Sequence, residues 1–316
     1  MNRTFATKAR GWLLAASLAC LASTASAAPQ ALNTLFDYQV STPDGKALTL
    51  AEVAKHVDDA DIVLIGEWHG HLGVHRFQTE LLQALSKRHA VALSMEQFSR
   101  DAQPVLNRYL ADELGEDSFK REANAWDNYD GSYRPLIEFA KQHNIDVLAA
   151  NAPKRMVSCI GRQGLSYLET LPVAQRAWFA DTIDTRDSAY KSVFKANMHH
   201  GTPSQTESQY AAQLAWDATM AESMVHYHQT HPETQIVHVA GRFHIAEGLG
   251  TAQQIRQRNN KLRIALITPV SDEAPLADNA PDLRLKVQPL PARWRSMDEM
   301  REAVSAMKGT SSSVCE

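Results

Sequence analysis

Short, continuous apolar runs recur along the chain and are separated by longer stretches with helical periodicity. The short runs are rich in β-branched residues and too brief for helices, so each predicts a strand that is buried on both faces. Five such strands are predicted, at Ile62–Ile65, Ala90–Met95, Asp146–Ala150, Gln235–Ala240 and Leu262–Thr268. Because helical stretches alternate with them, the pattern predicts an α/β fold, with a mostly parallel sheet covered by helices on both faces.

Apolar positions three and four residues apart predict the helices between these strands. The clearest is Leu72–Lys87, in which Phe77 and Leu81 share one face. Further helices are predicted at Asp101–Ala111, Ser118–Ala125, Tyr133–His143, Pro153–Tyr167, Pro172–Ala180 and Thr251–Gln257. Two longer stretches, Arg186–His199 and Ser204–His231, follow one another without a strand between them, and they predict an extra helical lobe over residues 186–231.

The start of the chain is predicted to lie outside the α/β domain, which is expected to span residues 28–271 and to include the lobe. Met1–Arg10 is basic, the apolar run GWLLAASLACLAS follows, and Ala25-Ser26-Ala27 offers a cleavage site. These features are typical of a secretory signal peptide over residues 1–27. Cleavage after Ala27 would release a soluble protein, whereas processing at Cys20 would leave a lipid-anchored one. Both forms are expected on the periplasmic side of a bacterial envelope.

The remaining segments are short and polar. Residues 31–50 alternate around PDGK and predict a small hairpin ahead of the domain. Residues 272–316 form a polar C-terminal segment in which Leu283–Gln288 is a possible edge strand. Apart from Cys20, the cysteines are Cys159 and Cys315. A disulfide between them and two unpaired thiols are both compatible with the sequence.

The charge of the chain argues against nucleic acid as a partner. The chain has 32 basic and 36 acidic residues, and loss of the signal peptide would remove cations. Because no basic stripe is present, nucleic acid is not expected as a partner.

Titratable side chains occur where the predicted strands end. Glu67 and His69 follow the first strand, Glu96 follows the second, and His244 follows the fourth. Since ligands of parallel sheets bind outside the carboxyl ends of the strands, we expect these side chains to meet at one edge. They suit general acid–base catalysis or, with His69 and His244 as ligands, a divalent metal. The alternative is that each side chain caps a helix or bonds to the nearby backbone.

Six motifs in fixed order resemble those of a known family. They are LIGEWHG, SMEQF, NAWDNYDGSYRPLIEFA, VLAANAP, QLAWDATMAESM and VHVAGRFHIAEGLG. Together they make residues 37–270 similar to the ChaN-like haem-binding family, within the superfamily that includes Tiki and TraB proteins. The resemblance implies an exported, iron-regulated and often lipid-anchored protein that binds haem as a dimer. It therefore implies haem as cofactor, a homodimer, and outer-membrane or periplasmic haem-uptake components as partners.

The same resemblance implies an alternative function. Tiki-type proteins are proposed metal-dependent proteases with a GxxH motif, which corresponds here to Gly66–His69. The related erythromycin-esterase-type hydrolases use glutamate and histidine near such a turn, and the matching positions are Glu67, His69, Glu96 and His244. The resemblance leaves open whether this chain is an enzyme, with a metal-dependent hydrolase as the alternative to a haem-binding protein.

For haem, the resemblance implies a tyrosine as the iron ligand. The candidates are Tyr129, Tyr133, Tyr190 and Tyr210. Residues that are expected to line an apolar slot are Trp126, Phe194, Met198 and Trp216, and those expected to reach the propionates are Arg76, Arg134 and Arg242. Covalent attachment is excluded because the sequence has no CxxCH motif. The sequence thus favours an exported protein of haem or iron acquisition or storage, with haem held by the helical lobe at a dimer interface.

Overall fold

An eight-stranded mixed sheet is the centre of the fold. The computed structural model describes residues 31–197 and 201–308, together with Met1 and Cys315. The predicted signal peptide, with Cys20, and the slot residue Met198 lie outside these residues. The strands are β1 (Tyr38–Ser41), β2 (Ala47–Leu48), β3 (Ile62–Glu67), β4 (Val91–Ser99), β5 (Val147–Asn151), β6 (Gln235–Gly241), β7 (Ile264–Val270) and β8 (Leu283–Val287).

The strand order is β2-β1-β8-β7-β3-β6-β4-β5. All neighbours from β8 to β5 pair in parallel, whereas β1 pairs antiparallel with β2 and with β8. All five predicted buried strands form, and β3 and β6 are buried along their whole length. The predicted mostly parallel sheet is therefore confirmed.

The strand expected at an edge of the sheet lies inside it. Leu283, Leu285 and Val287 are buried on one face of β8, as the alternating sequence predicts. However, β8 lies between β7 and the hairpin formed by β1 and β2. The edge position was wrong because the hairpin, predicted only as a unit ahead of the domain, adds to the sheet and covers β8.

Thirteen helices in the described residues surround the sheet. They are α1 (Leu50–His56), α2 (Leu72–Ser86), α3 (Gln103–Leu110), α4 (Glu116–Glu122), α5 (Tyr129–Ser132), α6 (Arg134–Gln142), α7 (Lys154–Gln163), α8 (Val173–Arg176), α9 (Ala189–Asn197), α10 (Pro203–Thr230), α11 (Arg242–Ile245), α12 (Thr251–Arg258) and α13 (Met297–Lys308). Helix α7 ends four residues before the predicted Tyr167, because Gly164 takes a left-handed φ of 78°. None of the helices described is long and apolar enough to cross a membrane.

Helices cover both faces of the sheet, as predicted. On one face, side chains of α2 and α6 such as Phe77 and Leu136 pack on Val63 and Ile65 of β3. On the other face, α10 and α12 pack on the alternate β3 residues, among them Leu64. The alternation follows from the two-residue period of a strand, since successive side chains point to opposite faces.

The predicted helical lobe forms as α9 and α10, and it is continuous with the rest of the domain. The first half of α10 and α9 share a cluster that includes Tyr190, Phe194 and Tyr210. The second half of α10 packs on the sheet through Met220 and Met224. One helix therefore joins the lobe to the sheet.

A disulfide joins Cys159 of α7 to Cys315. It resolves the choice between a disulfide and free thiols that the sequence left open. Cys315 packs against the cluster formed by α7 and the first half of α10. The bond therefore holds the C-terminal segment against the helices that support the lobe.

We predict that Cys315→Ser lowers the free energy of unfolding by about 2–4 kcal/mol, because the disulfide closes a long loop in the unfolded chain. The measurement is urea unfolding under oxidising conditions. Cys159→Ser and the double variant should lose the same amount, and a reductant should weaken only the wild type. A double variant that is clearly less stable than either single variant would contradict the pairing.

Candidate functional site

The carboxyl ends of β3, β4 and β6 lie side by side and bring the four predicted edge residues together. Glu67 ends β3 and pairs in register with the last residue of β6, and His69 lies two residues further on. Glu96 lies near the end of β4, and His244 lies in α11, directly after β6. A buried residue of α10, Asp217, bonds to His244. These five residues are called the edge cluster below.

Glu67 is a carboxylate with no exposed side-chain surface. Its Oε1 accepts hydrogen bonds from His69 Nδ1 at 2.7 Å, Tyr133 Oη at 2.6 Å and Gln97 Nε2 at 3.1 Å, and its Oε2 accepts one from Gln78 Nε2 at 2.9 Å. Burial favours the neutral acid and alone would raise the pKa, but the bond from His69 and the nearby imidazoles lower the pKa to about 2. Glu67 is therefore a fixed negative charge at neutral pH.

A histidine and a glutamine on the buried face of α2 orient this carboxylate. His75 Nε2 accepts a hydrogen bond from the Gly70 N–H at 3.1 Å, so the proton is on Nδ1, which donates to Gln78 Oε1 at 3.0 Å. The Gln78 amide is thereby turned with its Nε2 toward Glu67. Sequence reasoning gave neither residue a role in the site. Their three-residue spacing on the apolar face of a predicted helix is the signal that would have found them.

His69 is the exposed member of the edge cluster, with 45% of its side chain accessible. Because Nδ1 donates to Glu67, Nε2 is left as the acceptor nitrogen. Burial works against protonation, but the bond to Glu67 and the charge of Glu96 raise the pKa of His69 above its usual value. Nε2 lies beside Gly241, where the Cβ of an alanine would come within 3.0 Å of it and within 3.6 Å of Glu96 Oε2.

Glu96 lies between the two imidazoles. Its Oε2 accepts a hydrogen bond from the Gly241 N–H at 2.5 Å, and its Oε1 is 3.6 Å from His244 Nε2. The opposite ring nitrogen of His244 donates to Asp217 Oδ1 at 3.0 Å. Burial alone would lower the pKa of His244, but the charges of Asp217 and Glu96 outweigh it and raise the pKa to about 9. His244 is therefore an imidazolium between two carboxylates.

Asp217 is a site residue that sequence reasoning did not identify. It is fully buried, and it accepts hydrogen bonds from Thr251 Oγ1 at 2.8 Å and from Tyr190 Oη at 2.9 Å, in addition to that from His244. The available signal was an acidic residue inside the otherwise apolar helical run QLAWDATM. An aspartate in a buried helix is stable only if other side chains donate hydrogen bonds to its carboxylate.

Two tryptophans flank the histidines of the edge cluster. The rings of Trp126 and His69 are 4.9 Å apart, and those of Trp216 and His244 are 6.3 Å apart, both in edge-to-face geometry. Both indoles are partly buried. The predicted slot residues Trp126 and Trp216 thus lie beside the Glu/His set, whereas Phe194 packs against Tyr210 in the lobe.

The four tyrosines predicted as iron ligands are buried and lie in two environments. Tyr129 packs against aromatic side chains of the main core, and its hydroxyl has no hydrogen-bond partner. Tyr133 donates to Glu67. In the lobe, Tyr190 donates to Asp217, and the hydroxyl of Tyr210 lies 3.1 Å from Ser188 Oγ. Tyr133 and Tyr190 therefore support the edge cluster from opposite sides.

The arginines predicted for the propionates already have partners within the chain. Arg76 and Arg134 form ion pairs with glutamates. Arg242 donates to the backbone oxygens of Pro269 and Pro275, at 3.0 and 2.9 Å. Arg242 therefore holds the loop after β7.

The predicted divalent-metal site, with His69 and His244 as ligands, has no complete donor set. Within the described part of the chain, no group of three or more histidine, cysteine, aspartate or glutamate side chains is placed to hold a metal ion. The imidazole nitrogens nearest the carboxylates are instead used in hydrogen bonds and ion pairs.

The fold and site define an α/β protein with a glutamate/histidine edge, and comparison with known proteins identifies its family. Residues 53–255 match the family described as haem-binding uptake, Tiki superfamily, ChaN. This chain belongs to that family, as its sequence motifs predicted. A search of curated proteins found no match.

One solved structure found by comparison shares the fold, and two others are similar to this chain at lower TM-scores. A structure described as cofacial heme binding to ChaN of Campylobacter jejuni is 14% identical, with a TM-score of 0.61 over 80% of this chain and 98% of that chain. An erythromycin esterase mutant in its open conformation is 13% identical, with a TM-score of 0.45 over 87% of this chain and 88% of that chain. The type III effector HopBA1 is 12% identical, with a TM-score of 0.47 over 82% and 100% of the two chains.

We predict that Asp217→Asn removes a pH-dependent contribution to stability. The folded-state pKa of His244 is about 9, and an unfolded histidine titrates near about 6.5. The imidazolium therefore stabilises the fold fully below the unfolded pKa, by about 3 kcal/mol, and this contribution is lost as pH rises through the folded pKa. Glu96 still faces His244 in the variant, so the stability difference between wild type and variant should shrink by much of that amount between about pH 6 and about pH 9.5 in urea unfolding.

The matched control for this experiment is Asp127→Asn, which changes an exposed aspartate. It should leave the pH dependence of unfolding unchanged. An equal stability difference between wild type and Asp217→Asn at both pH values would show that Asp217 does not hold the His244 proton.

Proposed function

We propose that this chain is an exported haem-binding protein of haem or iron acquisition or storage, with haem held by the helical lobe. The family match carries this proposal, because it covers strands β3 to β6 and the lobe in a family described as haem-binding uptake. Haem is then cargo, and the protein has to supply an oxygen or nitrogen ligand, apolar contacts and cations.

The lobe has one cleft whose lining includes tyrosines, apolar side chains and an arginine. A cleft of about 290 Å³ between α9, α10 and α12 is lined by Tyr190, Tyr210, Leu214 and Leu249, together with Arg186 and the acidic residues Asp184 and Asp187. Tyrosine oxygen is a ligand for ferric iron. Arg186 has 87% of its side chain exposed and is paired with Asp184, so it would have to exchange that partner for a propionate. These residues fit haem better than Tyr129 and Tyr133, which lie in the main core.

The cleft is at the small end of ligand sites, which typically measure about 300–1,000 Å³. A haem bound there would keep much of its surface outside the cleft. A second copy of the chain would cover that surface, which supports a homodimer with haem at its interface. Outer-membrane or periplasmic uptake components are the partners such a protein would need. The basic and apolar sequence of residues 1–27 supports export, with release at Ala27 or anchoring through Cys20.

We predict that Tyr190→Phe or Tyr210→Phe weakens haemin binding by about tenfold or more. The measurement is a haemin titration of residues 28–316, followed by Soret absorbance and size-exclusion chromatography. Wild type should show a saturable shift and move toward a dimer. Tyr129→Phe is the matched control, because its hydroxyl has no partner to lose. Normal haem stoichiometry after loss of all four tyrosines would refute tyrosine ligation.

A second candidate function is hydrolysis at the edge cluster, and one observation favours it. The cluster contains two carboxylate–imidazole pairs, Glu67 with His69 and Asp217 with His244, on either side of Glu96. Such pairs orient one histidine as a base and another as an acid. Since the described residues offer no metal-ligand group, general acid–base catalysis is the version of this function that the site supports.

We predict that Glu67→Gln and His244→Ala each abolish hydrolysis but retain haemin binding. Glu67→Gln removes the charge that orients His69, and His244→Ala removes the acid, while neither residue lines the cleft of the lobe. Both variants and wild type should be assayed in parallel with ester and peptide substrates and with haemin. Loss of both functions in a folded variant would argue that the two sites are one.

A further inference from the structure

We propose that a surface at the carboxyl end of β8 docks the folded domain on a membrane that contains anionic phospholipid. The surface is formed by residues 31–37, which lead into β1, and by residues 288–297, which follow β8. It is called the end surface below. The inference rests on the export proposed above, and it adds a lipid partner and an orientation of the domain.

Strand pairing places the two segments of the end surface side by side. In the antiparallel ladder of β1 and β8, Tyr38 at the start of β1 faces Val287 at the end of β8. The chain before Tyr38 and the chain after Val287 therefore leave the sheet at the same end. Gln288 holds both segments, because its Nε2 donates to Leu32 O and its backbone oxygen accepts a hydrogen bond from His71 Nε2, each at 2.7 Å.

Exposed apolar side chains concentrate in these two segments. Phe36, Leu290 and Met297 have 55%, 41% and 60% of their surface exposed. In residues 31–197 and 201–308, the other large apolar side chains that the structure describes as exposed are Val173 in α8 and Val193 in α9. Single exposed apolar side chains are ordinary on a protein surface, but three of five at one end of the sheet mark an interaction surface.

A tryptophan between two arginines gives the end surface the chemistry of a membrane interface. Arg293 and Arg295 are exposed, and Trp294 between them is partly buried. The guanidinium carbon of Arg293 lies 4.6 Å from the centre of the Trp294 ring. Tryptophan prefers the level of the lipid headgroups, and an arginine at that level keeps its stem in apolar surroundings while its charged end reaches the phosphates.

The charges of the end surface select an anionic lipid. Within the part of the chain that the structure describes, the guanidinium groups of Arg293 and Arg295 pair with no carboxylate. The acids nearest along the chain already have donors, and they are Asp37, Asp298 and Glu299. The two arginines are therefore the charges that an anionic headgroup meets, and each strengthens binding to such a membrane by about fivefold.

The start of the described chain lies on the same surface. Ten residues separate Cys20 from Ala31, and even a fully extended chain of that length reaches at most about 40 Å. Acylation of Cys20, as proposed above, would hold the end surface within this distance of the bilayer. A weak contact between protein and lipid then becomes effective, because it is intramolecular.

Docking through the end surface fixes the orientation of the domain. Strands β8, β7, β3, β6 and β4 run parallel, so the end of β8 lies at the same edge of the sheet as Glu67 and Glu96. The edge cluster and the lipid headgroups are therefore on the same side of the domain.

The test is flotation of residues 28–316, which carry no lipid anchor, with vesicles of phosphatidylcholine alone or with about 30 mol% phosphatidylglycerol added. The protein should float with the anionic vesicles and not with the neutral ones. Salt at about 1 M should weaken flotation, because it shortens the screening length to about 3 Å. Absence of flotation with both vesicles, or equal flotation with both, would overturn the inference.

Two double variants with the same loss of charge test the site. Arg293→Gln combined with Arg295→Gln should weaken binding to the anionic vesicles by about 25-fold, about fivefold for each arginine. Lys87→Gln combined with Lys261→Gln is the matched control, since both lysines are exposed and lie at the opposite edge of the sheet, before β4 and β7. The control should float as wild type does. An equal loss in both double variants would show an unspecific response to charge and would contradict the assignment.

Hydrogen exchange of the wild type locates the contact without a variant. Anionic vesicles should slow amide exchange in residues 31–37 and 288–297 and leave the lobe unchanged. Protection elsewhere would refute the end surface. If a second copy of the chain covers this surface, exchange there should slow with protein concentration in the absence of lipid, and the lipid assignment is then wrong. Haemin titration of the arginine double variant should match wild type, so that loss of docking and loss of haem binding are measured separately.

Discussion

One buried negative charge sets the requirements that the rest of the site meets. A carboxylate in a protein interior costs several kcal/mol unless its oxygens are fully hydrogen-bonded. Glu67 meets this condition with donors from the loop after β3, from α2, from β4 and from Tyr133, the residue before α6. These donors come from different elements of the fold, so Glu67 can be buried as a carboxylate without a large energetic penalty only when all of them have packed. The position of the exposed His69 ring depends on the same arrangement.

The sequence predicted the parts of this arrangement that depend on local pattern. Continuous apolar runs identified the buried strands, and the topological rule for parallel sheets correctly brought Glu67, Glu96 and His244 to one edge. The partners of these residues come from helices whose rotation about their axes is set by packing. Periodicity therefore showed that Gln78 and Asp217 lie in helices but not that they face the edge. The position of β8 depends on which distant strand adds to it, and no local pattern encodes that choice.

The lobe and the sheet edge are connected through one aspartate. Tyr190 of the lobe donates to one oxygen of Asp217, and His244 of the edge donates to the other. A ligand that took the Tyr190 oxygen would leave Asp217 with one donor fewer, and the charge on His244 would respond. The proposed haem site and the proposed hydrolytic site are therefore separate surfaces that share the buried carboxylate of Asp217. Haem bound at the first site would change the hydrogen bonds of Asp217 and therefore the protonation of His244 at the second.

The disulfide has a consequence for biosynthesis. Cys159 and Cys315 are 156 residues apart, so the thiol on α7 stays unpaired until a much later part of the chain has packed against it. An unpaired thiol can form a disulfide with a wrong cysteine. The sequence limits this risk, because it contains three cysteines in all. If the chain is exported as proposed, with Cys20 cleaved or acylated, a single intramolecular pairing remains available. The disulfide can then form in one oxidation step without rearrangement of wrong disulfides. It forms only after the C-terminal segment has packed against α7.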